Sequence, residues 1–286
     1  MRVGIIGLGA IGGVLAARLV ASRREGEEIF LAAGRSARAI REQGLRIDGE
    51  QPVMPPSVAE RLEGTQYDVL LLCTRTDDIE TALLPAASLL APEGTIVCVQ
   101  NGLPEERAAR AVGKGRVLGA VIGWSASASG RGRYKITGGG KFILGAADAA
   151  GESRVAAVAA LLERAFPVKR TTNLQGARWS KLAMNCALST LGAVSGLDFG
   201  GLAANRDARE LAVVAVREAV QVARAKQVHL ERVAGRTSSS ASPRESARGS
   251  APACSCASSK DAPPDRSTTS TAPWCARRVR SGWPRR

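Results

Sequence analysis

The chain has 286 residues, which is enough for two domains, and 45% of them are hydrophobic, which excludes a disordered chain. No run of about 18 apolar residues occurs and the N-terminus does not look like a signal peptide, so we expect no membrane partner and a cytoplasmic location. The formal net charge of +14 is uneven, because residues 235–286 hold ten Lys/Arg against three Asp/Glu, and it does not by itself indicate a nucleic-acid-binding protein.

The N-terminal half alternates buried strands with helices. Its predicted strands are unbroken runs of apolar residues, and apolar and polar residues do not alternate along them. This pattern is typical of a parallel sheet covered by helices on both faces. The fold class we predict is therefore α/β, with an N-terminal Rossmann doubly wound parallel sheet followed by an all-α C-terminal domain that is incomplete. The predicted strands are 2–6, 28–33, 67–73, 95–99, 116–122 and 141–144, and the predicted helices are 13–22, 36–44, 77–90 and 104–112.

The second half is predicted to be helical. Helices are expected at 154–165, 174–195 and 205–227, with an extended piece between Pro167 and Arg170. The last helix has a face of apolar residues. Those residues are Leu211, Val214, Ala215, Ala219 and Val222. The domains we predict are a nucleotide-binding domain over 1–168, a helical substrate domain over 169–234 and a disordered tail over 235–286.

A glycine motif directly follows the first strand and opens the first helix. In Gly7-x-Gly9-x-x-Gly12, the first glycine permits a tight turn, the second lets the backbone approach a pyrophosphate, and the third lets helix and strand pack closely. The helix N-terminus offers free N–H groups to phosphates. This context predicts a dinucleotide site. The residues expected to contact the cofactor here are Gly7, Leu8, Gly9, Ala10, Ile11 and Gly12.

The end of the second strand indicates which dinucleotide binds. A site for NAD(H) usually has an acid there that bonds the ribose hydroxyl, but this chain has none and offers Arg35 and Arg38 instead. A guanidinium suits a 2′-phosphate, so we predict NADP(H). The alternative is an arginine that is only solvated at a helix start.

Three further polar segments follow strands or open the helical half. They are Thr74-Arg75 after the third strand, Gln100-Asn101-Gly102 after the fourth, and Trp179-Ser180-Lys181-Leu182-x-x-Asn185. Ligands of doubly wound sheets lie at the carboxyl ends of strands, and Lys181 and Asn185 share a helix face. We therefore expect these segments to meet in one cleft.

With these motifs in this order, residues 1 to about 230 resemble the ketopantoate reductase family. The resemblance implies reduction of the C2 ketone of 2-dehydropantoate by NADPH to (R)-pantoate in pantothenate biosynthesis. It implies that Lys181 is the general acid, that Asn101 contacts cofactor and substrate, and that Asn185 binds substrate. A desolvated lysine near other cations can lose enough pKa for that role. The alternatives are a surface lysine and a helix-packing amide.

Two positions depart from the family pattern. Arg75 stands where many members have lysine, and it is our candidate for a phosphate or carboxylate contact. Ser189 stands where the family often has a second asparagine, and it is our candidate for a substrate contact. A related 2-keto acid therefore stays open as the substrate. A β-hydroxyacid dehydrogenase is the other enzyme class that shares the plan, although the QNG and RWSKLAMN segments favour the first family.

The tail shows none of the family's closing motifs. It reads like GC-rich coding DNA translated out of frame, and Ser267 to Arg286 can be re-read one base away as VDDLDGAVVRAARALGVATP, which resembles the family's final helix. We hypothesise one frameshift near residues 232–240. If the printed tail is real, apolar surface on 205–227 is exposed and the chain is a catalytically impaired NADP(H)-binding protein.

Other ligands and partners have weaker support. Three cysteines in apolar runs (Cys73, Cys98 and Cys186) are interpreted as small buried hydrophobes, and Cys254-x-Cys256 lacks the spacing of a zinc site, so no metal is expected. The arginine-rich tail with two tryptophans could contact nucleic acid, but composition alone explains it. The sequence does not determine the oligomeric state, and a homodimer is one alternative.

Overall fold

A computed structural model describes residues 1–64, 66–113 and 115–231 of the chain, which fall within one compact unit. The strands of the described part are β1 (Arg2–Ile6), β2 (Glu28–Ala32), β3 (Arg46–Ile47), β4 (Ser57–Ala59), β5 (Tyr67–Leu72), β6 (Leu90–Cys98), β7 (Val117–Ile122), β8 (Ser125–Gly130), β9 (Arg133–Gly138), β10 (Phe142–Ala146) and β11 (Val168–Arg170). Its α-helices are α1 (Ala10–Ala21), α2 (Ala37–Gln43), α3 (Ile79–Ala87), α4 (Glu105–Val112), α5 (Glu152–Leu162), α6 (Leu174–Met184), α7 (Thr190–Ser195), α8 (Phe199–Ala204) and α9 (Arg206–Ala225). A π-helix, Asn185–Ser189, joins α6 to α7.

Eight strands form one sheet in the order β11-β10-β7-β6-β5-β1-β2-β4. Neighbouring strands are parallel except for β7 and β10, which pair antiparallel. The chain leaves β1 for β2 on one side and later fills β5, β6 and β7 on the other, so the order reverses between β1 and β5. The predicted doubly wound Rossmann sheet is confirmed, with one antiparallel pair at its far side.

The central strands are buried on both faces because successive side chains enter different hydrophobic cores. Val69 and Leu71 of β5 belong to the core under α1 and α5, whereas Leu70 and Leu72 belong to the core under α3 and α4. All four side chains are buried. This double burial explains why the strands read as unbroken apolar runs in the sequence.

A second sheet was not predicted. It has three strands in the order β3-β9-β8, and β8 and β9 form an antiparallel hairpin with bulges. Its sequence, from Ser125 to Gly138, is rich in Ser and Gly and half exposed, so it lacks an apolar signal. The short strands β3 and β4 and the helix α8 were also missed.

The helical half packs directly against the large sheet. Leu174 and Ala177 of α6 form a small core with Val121 of β7 and Ile143 of β10. The strand β11 pairs with β10, so the sheet continues through Arg170. The proposed domain boundary at 168/169 falls within this strand and stays a prediction, as does the assignment of 235–286, which lies outside the described residues.

The long helix α9 exposes much of the apolar face that the sequence indicated. Leu211, Val214 and Val222 are exposed, while Ala215 and Ala219 are half-buried. The helix contacts α6 and the π-helix, and its one fully buried residue is Ala223. None of the described helices has the length and apolar character that a membrane crossing requires.

Candidate active site

The parallel strands β6, β5, β1 and β2 are neighbours in the sheet, so their carboxyl ends lie along one edge. The four polar or glycine-rich segments of the sequence follow these strand ends. The hydrogen bonding of the sheet extends past the strand ends into two of these segments. The Gly7 N–H donates to the Ala32 carbonyl at 3.0 Å, and the Cys73 N–H donates to the Ile6 carbonyl at 2.8 Å. The reversal of strand order between β1 and β5 marks this edge as the expected ligand crevice.

The three motif glycines meet three different spatial demands. Gly7 has a φ of +91°, a backbone conformation that favours glycine. A Cβ at Gly12 would overlap the Gly7 carbonyl oxygen and lie 2.7 Å from the Cβ of Cys73, whereas a Cβ at Gly9 would meet nothing within 4 Å. Gly12 therefore serves close packing, and Gly9 faces open space.

The start of α1 is suited to bind phosphate. Gly9 is its N-cap residue and provides no side-chain hydrogen bond to the first turn. The N–H groups of a helix's first turn have no partner within the helix. Open space over Gly9 and uncapped donors beside it are what a pyrophosphate requires, so this part of the chain fits a dinucleotide.

Tyr134 supports the glycine turn from the second sheet. Its hydroxyl donates to the Leu8 carbonyl at 3.0 Å, and its ring lies where a Cβ on Gly13 would be. Burial raises the pKa of this phenol to about 12. The sequence reasoning missed Tyr134 because it lies 126 residues from Leu8 on a hairpin without a strand signal.

The two arginines after β2 differ in their contacts. Arg35 is exposed, at a single turn of 3-10 helix over Gly34–Ser36, and it makes no ion pair with another described residue. Arg38 pairs with Glu42 at 2.8 Å, and this contact raises the pKa of its guanidinium. Arg35 is therefore the better placed of the two for a ligand phosphate.

Side chains after β5 and β6 contact one another. Gln100 is buried and its Nε2 donates to the Thr74 hydroxyl at 3.4 Å. The hydroxyl of Thr76 donates to the backbone carbonyl of Asn101 at 3.0 Å, so the Asn101 side chain is not used in this contact. Arg75 is exposed and lies 3.6 Å from Asp77. The structure thus brings the Thr74-Arg75 and Gln100-Asn101 segments together.

A buried arginine joins α6 to the end of β6. Arg178 donates to the carbonyl oxygens of Gln100 at 2.6 Å and Cys98 at 2.8 Å, and both its Nε and Nη2 reach the Oε1 of Glu105. Burial raises the pKa of the Glu105 carboxyl, and the charge of Arg178 opposes that rise. Neither residue was among the sequence candidates, although Arg178 adjoins the motif that begins at Trp179.

Lys181 follows Arg178 by three residues on α6, and its side chain is partly buried. Burial lowers the pKa of its ammonium group below the ordinary lysine value. The direction of this shift agrees with the expectation for a proton donor. Of the two expected causes, desolvation accounts for it, whereas no neighbouring cation within the described residues contributes. In an apolar environment the neutral amine is favoured over the charged form.

The other two candidates on this segment bound the π-helix. Asn185 begins it and Ser189 ends it, and both are half-buried. Short π-helical insertions occur often at functional sites. The helix predicted over 174–195 is confirmed in its bounds, but the sequence did not indicate that its middle, Asn185–Ser189, is π-helical. Whether Lys181, Asn185 and Ser189 bind a substrate stays a prediction.

The cysteines named from the sequence and the one histidine of the chain have plainer roles. Cys98 is fully buried, whereas Cys73 and Cys186 are half-buried, so the expectation of three buried cysteines was only partly correct. His229 is exposed and contributes its carbonyl oxygen to a hydrogen bond from Asn173. Cys254 and Cys256 lie outside the described residues.

The fold and this edge define a Rossmann-type oxidoreductase with a helical part packed on its sheet. Comparison with known families is consistent with this class. The model described as "Ketopantoate reductase PanE/ApbA" matches residues 3–149, and "Ketopantoate reductase PanE/ApbA C terminal" matches residues 173–245. The chain belongs to the ketopantoate reductase family. The second match extends past the limit of about 230 that the sequence motifs indicated.

Individual relatives agree with the family. A 2-dehydropantoate 2-reductase of Mesorhizobium japonicum is 29% identical and covers 77% of this chain and 74% of its own length. One of Halobacterium salinarum is 28% identical, with coverages of 85% and 84%. The crystal structure of a ketopantoate reductase from Ralstonia eutropha has 27% identity, a TM-score of 0.71 and coverages of 81% of this chain and 76% of that one.

Proposed function

We propose that the chain reduces the C2 ketone of 2-dehydropantoate to (R)-pantoate with NADPH, a step in pantothenate and coenzyme A biosynthesis. The observation that carries the proposal is the match of both family models, which together span the cofactor turn and the Lys181 helix. Its relatives are named 2-dehydropantoate 2-reductase. The docking of α6 on the end of β6 supports it.

A nicotinamide cofactor is the hydride source that a ketone reductase of this fold requires. The residues that would hold its pyrophosphate are the turn Gly7–Gly12 and the first turn of α1. Arg35 would contact a 2′-phosphate, since it is exposed and free of ion pairs with other described residues. Arg75 would add a second cation close to the turn. These contacts favour NADP(H) over NAD(H).

Lys181 acts as general acid in this proposal. When bound, the reduced nicotinamide supplies a hydride to the carbonyl carbon. The carbonyl oxygen then needs a proton, which the ammonium of Lys181 donates as the neutral amine forms. Its lowered pKa eases that donation. Asn101, Asn185 and Ser189 orient the substrate oxygens by hydrogen bonds that add no charge.

A direct assay tests the proposal. The purified full-length chain is mixed with NADPH and 2-dehydropantoate, and the loss of NADPH absorbance is followed with NADH as the cofactor control. We expect turnover with NADPH that Lys181→Met lowers by about 100-fold or more. The variant should bind NADPH as the wild type does, by fluorescence titration. Equal rates for wild type and Lys181→Met would exclude the role of this lysine.

A related 2-keto acid is the second candidate substrate. It is favoured because Arg75 and Ser189 stand where family members often have lysine and asparagine. A panel of 2-keto acids with branched, aromatic and short side chains distinguishes the two. If another 2-keto acid of the panel is reduced faster than 2-dehydropantoate, that compound is the better candidate substrate. Binding of NADPH without turnover of any member would identify a catalytically impaired NADP(H)-binding protein.

The proposal also covers partners and location. The cleft binds a small keto acid as substrate, and we expect no nucleic-acid partner and a cytoplasmic location. The oligomeric state is an open question, with a homodimer as one alternative. Light scattering measures the oligomeric state. Retention on DNA that falls steeply with salt would indicate a basic tail that binds phosphates.

A further inference from the structure

We propose that Arg178 and Glu105 form a clamp that positions the Lys181 helix against the Asn101 turn, so that Arg178 is a positioning residue for the reduction. The inference rests on the proposed function, in which Lys181 is the general acid. Both side chains are only about 2% exposed. They lie beside the site and would not touch the substrate.

The contacts of Arg178 fix α6 in more than one direction. Its guanidinium donates to a carboxylate on α4 and to two backbone carbonyls at the end of β6. The second of these carbonyls belongs to Gln100, the residue before Asn101. A planar guanidinium with several partners allows little rotation, so the helix can neither slide nor turn without breaking a hydrogen bond. Lys181 is one turn further along that helix.

The carboxylate is as constrained as the arginine. Oε1 of Glu105 accepts from Arg178, and Oε2 is buried without a hydrogen-bond partner among the described residues. Within the part of the chain that the structure describes, Arg178 is therefore the cation that balances the charge of Glu105. Burying an unpaired carboxylate is strongly unfavourable. The two side chains are therefore held together, and with them α4 and α6.

The sheet leaves space for this pair. Gly119 lies inside β7, where a side chain would overlap Oε1 of Glu105 and come within 2.7 Å of the Leu174 side chain. A glycine inside a strand weakens it and often marks a close approach of another group. Here that group is the clamp, because the missing side chain gives α6 and Glu105 room to approach the strand.

The test must separate positioning from stability. Arg178→Met alone leaves the buried Glu105 carboxyl without its hydrogen-bond partner, so that variant is expected to unfold easily. The pair Arg178→Met with Glu105→Leu removes both charges, and replacing a buried ion pair by apolar residues of similar volume often preserves stability. The matched control is Arg164→Met with Glu27→Leu. Arg164 also bonds a carboxylate and two backbone carbonyls, those of Leu19 and Ser22, but at the amino end of β2 instead of the carboxyl ends of the strands.

Two measurements on the full-length variants decide the matter. We expect the Arg178/Glu105 pair variant to lose about 100-fold in kcat, with the KM values for NADPH and keto acid changed by no more than about threefold. Hydrogen exchange followed by mass spectrometry should quicken in segments 99–104 and 178–185. The control pair should keep its kcat and its exchange in both segments.

Each outcome has a meaning. A pair variant with a kcat within about threefold of the wild type overturns the proposal, as does unchanged exchange in both segments. If the wild type turns over no keto acid, the proposed function fails, and the exchange measurement alone decides whether the clamp exists. If the pair variant does not fold, Arg178→Lys keeps the charge and loses the planar contacts, and it should show the same loss of kcat.

Discussion

At the scale of single residues, the glycine turn separates two uses of the same amino acid. Gly9 has an ordinary φ of −69° and faces open space, so alanine fits there without strain. Gly12 has no such room, because a Cβ would overlap the Gly7 carbonyl oxygen. A ligand that rests on the backbone explains why Gly9 bears no side chain.

We predict opposite effects for alanine at these two positions. Gly9→Ala should leave the thermal unfolding midpoint unchanged but weaken NADPH binding by about tenfold, since the new methyl group meets the pyrophosphate. Gly12→Ala should lower the free energy of unfolding by about 1–3 kcal/mol through overpacking. Fluorescence titration and thermal melts measure the two. Equal loss of stability in both variants would contradict the assignment.

The pKa of Lys181 is expected to set the alkaline limit of activity. The protonated amine is the acid, so activity disappears as pH rises through its pKa, and burial lowers that pKa from the ordinary 10.5. The alkaline limb of kcat/KM against pH should therefore lie below 10.5. Lys181→Arg, which stays protonated, should abolish or raise that limb. A limb that is the same in both proteins would assign it to another group.

Arg35 and Arg38 provide a matched pair for cofactor choice. Arg35→Ala should raise the KM for NADPH by about tenfold and leave that for NADH unchanged, because a charge-assisted bond to the 2′-phosphate is lost. Arg38→Ala should have little effect, since Arg38 is already paired with Glu42 on the surface. The measurement is the ratio of kcat/KM for the two cofactors. A larger effect at Arg38 would reverse the assignment.

At the scale of elements, the β8–β9 hairpin holds the cofactor turn in place. It sends Tyr134 across to the Leu8 carbonyl and against Gly13, so the turn is supported from outside the motif. A short glycine loop by itself would have many conformations open to it. The second sheet therefore supports the glycine turn, which its polar sequence did not indicate.

Tyr134→Phe tests that support. The variant keeps the ring against Gly13 but leaves the buried Leu8 carbonyl without its donor, which should lower the free energy of unfolding by about 1 kcal/mol. We expect weaker NADPH binding as well, since the turn becomes less ordered. Chemical denaturation and fluorescence titration measure both. As a control, Tyr67→Phe removes a hydroxyl that makes only a 3.5 Å contact. An identical loss of affinity there would contradict a specific role for Tyr134.

At the scale of the whole molecule, α9 buries a small residue and exposes several large apolar ones. The contact side includes Ala223, which is fully buried, while Leu211 is 56% exposed. Gly176 on α6 is also held tightly, because a Cβ there would overlap the carbonyl oxygen of His229. The chain after α9 thus passes back over the start of α6.

Substitutions on the two sides of α9 should differ in stability. Leu211→Gln should change the free energy of unfolding by less than about 0.5 kcal/mol, since the side chain is already in water. Ala223→Gln should cost about 1–3 kcal/mol because a long polar side chain is forced between helices. Thermal unfolding of both full-length variants measures this difference in stability. A large loss at Leu211 would mean that this face is covered in solution.

Much of the site was predictable because its signals are local. The glycine motif, the missing acid before Arg35 and the apolar strands are each readable within about ten residues of sequence. Arg178, Glu105 and Tyr134 were not, because each acts on a partner at least 73 residues away. Burial of a charged side chain has no sequence period, so Arg178 looked like any other arginine of a helix.

The amino-acid order alone determined the Rossmann half, its cofactor turn and the family, because strand burial and glycine geometry leave marks within short stretches. Only the tertiary structure decided how the helical part docks, where the π-helix interrupts it and which side of α9 is covered. Those features depend on which surfaces meet across the sheet. The choice of surfaces follows from packing and charge pairing between distant residues.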